Sequence, residues 1–219
     1  MKIQPGKSMK PTVVPLESNE IYHVYNHANA GDVLFREEDN YLYFLKRLKK
    51  YLIPVIEVYA YCLLPNHFHL LIKTKGEEDV ENFANDWPSK KDKGDADRVD
   101  SIISNQFRKF LISYSKAYNK RYNRRGSLFE ENLKRKVVDS DEYLTTMVRY
   151  IHFNPVLHGF VNRPVRWRFN SIHAYYSAGE TSINRSDVIE WFGGLESFKS
   201  FHESIQNEEI EKIRSLSFE

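Results

Sequence analysis

An α+β fold built on a mainly antiparallel sheet is expected from three features of this sequence. Stretches rich in β-branched and aromatic residues occur at 21–28, 55–64, 67–73 and 132–138. Helix-period stretches fall between and after them, in the order β-α-β-β-α-β-α. Pro65-Asn66 is a tight-turn pair, so the second and third strands form a hairpin.

Each element has its own signal. IYHVYNHA (21–28) is the first strand. NYLYFLKRLKKYL (40–52) spaces Leu42, Leu45, Leu48 and Leu52 near a helical period, with Asp39 as its cap. Pro54 resets the chain before the second strand (55–64) and the third (67–73). Residues 75–100 are polar and charged, which reads as an exposed insert with one helical turn around 80–83. The helix at 101–122 buries Ile103, Phe107, Phe110, Leu111 and Tyr114, and Gly126 lies beyond its end. A fourth strand follows at 132–138. Ser140-Asp-Glu then opens a helix that stops near Asn154-Pro155. A short helix capped by Ser171 and helical patterns at DVIEWF and 196–216 complete the chain. The order is close to the ferredoxin-like arrangement, with helices on one face of the sheet and a C-terminal helical extension. The domain reading is a flexible arm at 1–18, a catalytic domain at 19–180 and a helical tail at 181–219.

With 219 residues the chain can bury a sizeable core, and its 28% charged residues suit a globular protein. The net charge of +2 implies no global basic field, so local clusters matter more. One cysteine, Cys62, excludes an internal disulfide framework and fits packing in a strand in a reducing, cytoplasmic setting. No apolar run approaches the roughly 18 residues of a membrane span. The first residues lack the apolar core of a secretory signal.

The candidate chemistry begins in LLPNHFHLLIKT (63–74). Residues two apart on a strand share a side, so His67 and His69 face one way and Phe68 the other. Two imidazoles on one face can share a divalent cation, or can be satisfied structural histidines. A metal site needs a third ligand. VRYIHFNP supplies one, because Tyr150 and Asn154 lie one helical turn apart. An asparagine amide oxygen suits Mg²⁺ or Mn²⁺, and a tyrosine hydroxyl beside the ion is a nucleophile. The other reading is a core tyrosine and a helix-ending Asn-Pro pair. Tyr143 shares nearly the same face but has Met147, not an amide, one turn on. His152 is two residues from Tyr150 and does not face it. His23 and His27 share a side of the first strand, while His158, His173 and His202 read as surface residues.

PNHFHLLI, GSLFEENLKRKVV, YIHFNPVLHGFV and the Trp167-to-Ser171 segment together resemble the single-tyrosine HUH transposases, above all their REP-associated tyrosine transposase branch. The resemblance covers about 21–176 and leaves the insert and the tail unmatched. It implies metal-dependent cleavage and rejoining of single-stranded, hairpin-flanked DNA. His67, His69 and Asn154 would hold Mg²⁺ or Mn²⁺, and Tyr150 would form a 5′-phosphotyrosine link. No nucleotide cofactor is implied, in keeping with the absence of a GxxxxGK[ST] loop. The superfamily includes both monomers and homodimers.

Beside such a site the basic stretch 120–136 becomes the expected DNA contact. Lys120, Arg121, Arg124, Arg125, Lys134, Arg135 and Lys136 would meet phosphates, and Phe129, with Tyr122, would stack on unpaired bases. Arg163 to Arg168 with Trp167 form a second, smaller basic stretch. Two rival readings are a domesticated hairpin-DNA-binding protein that does not cut, and an unrelated metal hydrolase using the HxH pair. The intact set of four residues argues against the first, and the lack of an HExxH-type motif against the second.

Overall fold

The computed structural model describes residues 14–86 and 99–203. Four strands, β1 (Ile21–His27), β2 (Ile56–Leu64), β3 (His67–Thr74) and β4 (Lys134–Val137), form one sheet in the order β2-β3-β1-β4. Every neighbouring pair is antiparallel. Helices α1 (Glu38–Tyr51) and α3 (Val99–Arg121) cover one face, with α2 (Glu77–Asp86) against α3. The opposite face carries α4 (Asp141–Leu157), then α5 (Ile172–Tyr176), α6 (Arg185–Trp191) and α7 (Leu195–Glu203). The α+β class and the antiparallel sheet agree with the sequence reading. The helices, however, cover both faces rather than one.

Strand alternation explains the two cores. Tyr22, Val24, Phe68, Leu70 and Ile72 point to Phe44 and Leu48 of α1 and to Phe107 and Phe110 of α3. Phe44 sits 5.1 Å from Phe68 and 4.8 Å from Phe110 between ring centroids. Truncating such a buried ring costs about 3–5 kcal/mol. On the other face Ala60, Cys62, Leu64 and Leu71 meet Leu144, Met147, Val148 and Ile151 of α4. A β-bulge between Val58 and Ala60 shifts the register of β2. It lets Tyr59 and Ala60 both join the α4 side, where Tyr59 Oη donates to Asp187 of α6 at 3.2 Å.

Several boundaries differ for physical reasons. The cap of α1 is Glu37, in a reciprocal box with Asn40, and Asp39 instead pairs with Arg121. Its buried stripe is Tyr41, Phe44, Leu48 and Leu52, leaving Leu42 exposed. Asn132 has a left-handed φ of 67°, so β4 starts after it. The helix at 77–86 is longer than one turn because Val80 is fully buried; the rest of the insert up to 98 lies outside the described residues. Ser140 caps α4 as expected, accepting from Tyr143 N–H at 3.3 Å. Yet α4 continues through Pro155, closing when the amides of His158 and Gly159 bond Asn154 O and Val156 O, with Gly159 at φ 72°. Ser171 precedes α5 but does not cap it; its hydroxyl accepts from Tyr61 N–H at 2.8 Å. The last part of the N-terminal arm is anchored, not flexible: Leu16 is fully buried and Glu17 N–H donates to Tyr22 Oη. Residues 1–13 and 204–219 lie outside the described residues, including most of the helical pattern at 196–216.

Candidate active site

His67 and His69 project from the α4 side of β3, while Phe68 enters the opposite core. That face is not open, because α4 lies over it: His67 is 1% exposed and His69 and Asn154 are 0% exposed. One turn of α4 brings both expected partners there. Asn154 Oδ1 stands 2.9 Å from His67 Nε2. The Tyr150 ring meets His69 edge-on at a centroid distance of 5.5 Å. Tyr150, His67, His69 and Asn154 therefore come together in one chain.

The imidazoles are oriented from behind. β1 pairs with β3, so His23 lies beside His69, and His23 Nε2 and His69 Nδ1 share a hydrogen bond of 2.9 Å. With His69 Nδ1 donating, His69 Nε2 keeps its lone pair. Asn66 Oδ1 lies 2.9 Å from His67 Nδ1 and does the same for that ring. His27 stacks on His67 at 4.9 Å, and His158 meets it at 4.8 Å. Burial, followed by the neighbouring His23, His67, His27 and His158, drives the pKa of His69 well below the usual imidazole range. Burial and then Lys136 lower that of His23 to about 3. Both rings are thus neutral, the form a metal ligand requires.

The donor set fits a hard divalent cation. Both ring nitrogens of His67 face amide oxygens. His67 Nε2 and Asn154 Oδ1, 2.9 Å apart, would together offer such an ion one nitrogen and one oxygen ligand. The buried His69 Nε2 has no hydrogen-bond partner. Among the described residues no three His, Cys, Asp or Glu side chains are grouped to hold a metal ion by themselves, so the set depends on the Asn154 amide.

The basic stretch divides. Lys134 and Lys136 pair across β1 with Tyr25 and His23, which places both on the site's face of the sheet. Lys134 also contacts Glu130 at 2.9 Å and the Tyr25 ring at 5.8 Å. The other basic residues lie elsewhere. Arg121 pairs with Glu37 at 2.8 Å and Asp39 at 3.2 Å. Arg124 is held by Asp32 at 2.5 Å and by the carbonyls of Gly126 and Ser127. Arg135 is half-buried and donates to Val14 O. Lys120 and Arg125 are exposed. Phe129 is buried against Phe68 and Tyr114, so its ring cannot stack on a base. Tyr122 is likewise tied to Glu37 and Asn40.

Of the three histidines read as surface residues, His202 departs from that reading. His202 is buried, not on the surface, and shares a 2.9 Å hydrogen bond with His152 on the side of α4 away from the site. His158 is exposed yet packs against His67. His23, which the sequence allowed either to neighbour the site or simply to pack, stands beside it, and Asn66 orients the site without having been singled out for it. Their signals were present: His23 has the period-two spacing of the first strand, and Asn66 immediately precedes His67.

No protein-family model matches the chain. A curated protein of Haemophilus influenzae, described as "Putative REP-associated tyrosine transposase", is 27% identical over 119 residues, 53% of this chain. The aligned segment spans 59% of that relative's length. A solved structure of a REP-associated tyrosine transposase bound to a REP hairpin shares the fold, with a TM-score of 0.54 and 16% identity. It covers 84% of this chain and 93% of its own. The branch the sequence resembles, the REP-associated tyrosine transposases, is thus also the branch of the curated relative and of the solved structure with this fold.

Proposed function

We propose that this protein is a DNA strand transferase that cleaves and rejoins single-stranded DNA beside a hairpin through a phosphotyrosine intermediate. The observation that carries this is the meeting of Tyr150 and Asn154, on one turn of α4, with His69 and His67 on β3. The hairpin-bound neighbour in the solved structures supports hairpin DNA as the substrate. His67, His69 and Asn154 would hold Mg²⁺ or Mn²⁺. A cation bound there would polarise the scissile phosphate and offset charge developing on it.

The chain's own residues supply the rest. Tyr150 Oη gives up its proton to solvent, attacks phosphorus and forms a new P–O bond. The bond from phosphorus to the 3′ oxygen breaks, and that oxygen takes one proton from solvent to become a 3′-hydroxyl, so protons balance over the step. The 5′ side remains on Tyr150 as a phosphodiester, so a 3′-hydroxyl can later reverse the step and rejoin strands without a nucleotide cofactor. His23 and Asn66 keep the two imidazoles in place throughout. Lys134 and Lys136 stand on the same face to meet phosphates.

The test is a denaturing gel with labelled hairpin DNA drawn from the flanks of the gene. Wild-type protein with Mg²⁺ or Mn²⁺ is expected to give a covalent adduct that EDTA and Tyr150→Phe both abolish. Binding without an adduct in either metal would replace this reading with that of a non-cutting hairpin binder.

A further inference from the structure

We infer that the unpaired strand leaving the site runs past Phe160 and Trp167 into a groove guarded by Arg166 and Arg168, not along the 120–136 stretch. This rests on the proposed strand-transfer reading and names the surface that holds its single-stranded substrate.

The groove is open, about 770 Å³, and walled by Arg36, Tyr41, Pro65, Arg166, Trp167 and Arg168, among others. That volume falls within the ~300–1,000 Å³ typical of ligand sites. It adjoins the candidate active site through the β2–β3 turn, since Pro65 lines the groove and Asn66 holds His67. A trail of rings links the two. His158 meets His67 at 4.8 Å, and Phe160, two residues on and 45% exposed, meets Trp167 at 5.4 Å. Trp167 is fixed from beneath, its indole N–H donating to Leu63 O at 2.8 Å. A ring held in place loses little freedom when a base stacks on it.

The charge suits a phosphate backbone. Arg166 is exposed and has no ion pair among the described residues. Arg168 contacts Glu38 at 2.6 Å, with both side chains largely exposed. An exposed pair of this kind is weak and exchanges readily for phosphate. At the far end Arg36 pairs with Asp32 at 3.3 Å and lies over the Tyr122 ring at 4.8 Å, and Glu37 and Glu38 also line the groove, so the phosphate contact falls to Arg166 and Arg168. The longer basic stretch offers no comparable ring, since Phe129 is buried and Tyr122 is tied to Glu37 and Asn40; Arg124 there is committed to Asp32 and two carbonyls, and Lys134 and Lys136 on the site's face are assigned to the hairpin. Arginines beside one exposed ring, Phe160, and one half-buried ring, Trp167, provide the charge and stacking that sequence-tolerant single-strand sites use.

The experiment measures binding in EDTA of a blunt hairpin and of the same hairpin carrying a 5′ or a 3′ single-stranded extension. Wild-type protein is expected to gain about tenfold or more in affinity from one of the extensions. The double variant Arg166→Ala, Arg168→Ala should lose that gain, with a salt slope shallower by about 1.4 for two lost single-strand phosphate contacts. Phe160→Ala should lose part of it, and blunt-hairpin affinity should stay within about twofold. A gain that survives in the double variant, or no gain in wild-type protein, overturns the assigned path. The covalent-adduct gel run alongside separates the two ideas. An adduct with an unaffected extension gain discards the groove alone, whereas neither adduct nor hairpin binding by wild-type protein discards both.

Discussion

A single hydrogen bond, between His69 Nδ1 and His23 Nε2, decides what the other nitrogen of His69 can do. It holds the ring and, with Nδ1 donating, leaves Nε2 as the atom that can offer a lone pair. Partners of this kind tune metal affinity by about 10- to 100-fold. His23→Phe should therefore weaken Mn²⁺ binding in calorimetric titration by that margin while the protein stays folded; unchanged affinity would show that His69 needs no such support. Arg124 behaves differently from its sequence reading. It ties Asp32 to the turn after α3, so Arg124→Ala should lower stability by about 1–3 kcal/mol in urea unfolding. Lys136→Ala should barely change stability, and should instead reduce the salt slope of hairpin binding by about 0.9. The reverse pattern would return Arg124 to the DNA surface. A basic residue in sequence shows its charge but not its partner, and Asp32 stands 92 residues away.

At the scale of elements, α4 is held on two sides. One side presents Tyr150 and Asn154 to β3. The other presents His152 to the tail through a directional chain of hydrogen bonds. His202 Nδ1–H donates to Phe198 O at 2.8 Å, so His202 Nε2 accepts from His152 Nδ1–H, and His152 Nε2 accepts from Ser171 Oγ–H, each at 2.9 Å. Both imidazoles of this hydrogen-bonded run, His152 and His202, are neutral. Burial, partly opposed by the Phe198 carbonyl and assisted by Arg149, lowers the pKa of His202 to about 4; burial, His202 and His173 push that of His152 well down. An unfolded histidine takes a proton near 6.5. Between about pH 6.5 and pH 4 the unfolded chain thus binds more protons than the folded one, and stability falls as pH falls. His202 alone contributes about 3 kcal/mol that is present above pH ~6.5 and lost toward pH ~4. Urea midpoints near pH 7 and pH 5 should drop more in wild-type protein than in His202→Gln; equal drops would remove His202 from the network. Strand and helix periods in the sequence pair His67 with His69 and Tyr150 with Asn154, while the meeting of the two pairs was implied only by the family resemblance. The sequence did not show the tail contact, because His152 and His202 meet only through packing across 50 residues. Nor did it show that α4 passes Pro155, a residue that ordinarily costs a helix about 3 kcal/mol. That turn is closed instead by Gly159 and by Pro155 O, which accepts from Phe160 N–H at 2.9 Å.

For the molecule as a whole, covering both faces of the sheet creates a requirement that neither face has alone. α1 and α3 close one side, and α4 with the tail helices closes the other, so Tyr150 is 1% exposed and its histidine neighbours are no more accessible. If Tyr150 acts as proposed, a phosphodiester has to reach Tyr150 Oη through that cover, and the proposed strand transfer would require part of the cover to move. The net charge of +2 gives little long-range attraction, so the proposed DNA substrate would first be held by local basic patches at the rim. The C-terminal turn of α4 is where opening costs least. Pro155 has no N–H to bond the preceding turn, and His158 and Phe160 just beyond it are exposed. Hydrogen exchange with hairpin DNA in EDTA should accordingly quicken several-fold in residues 150–158 while α1 and α3 keep their protection. Uniform protection of α4 by DNA would mean that substrate enters without opening the helix, and that the buried arrangement of Tyr150 is already the reactive one.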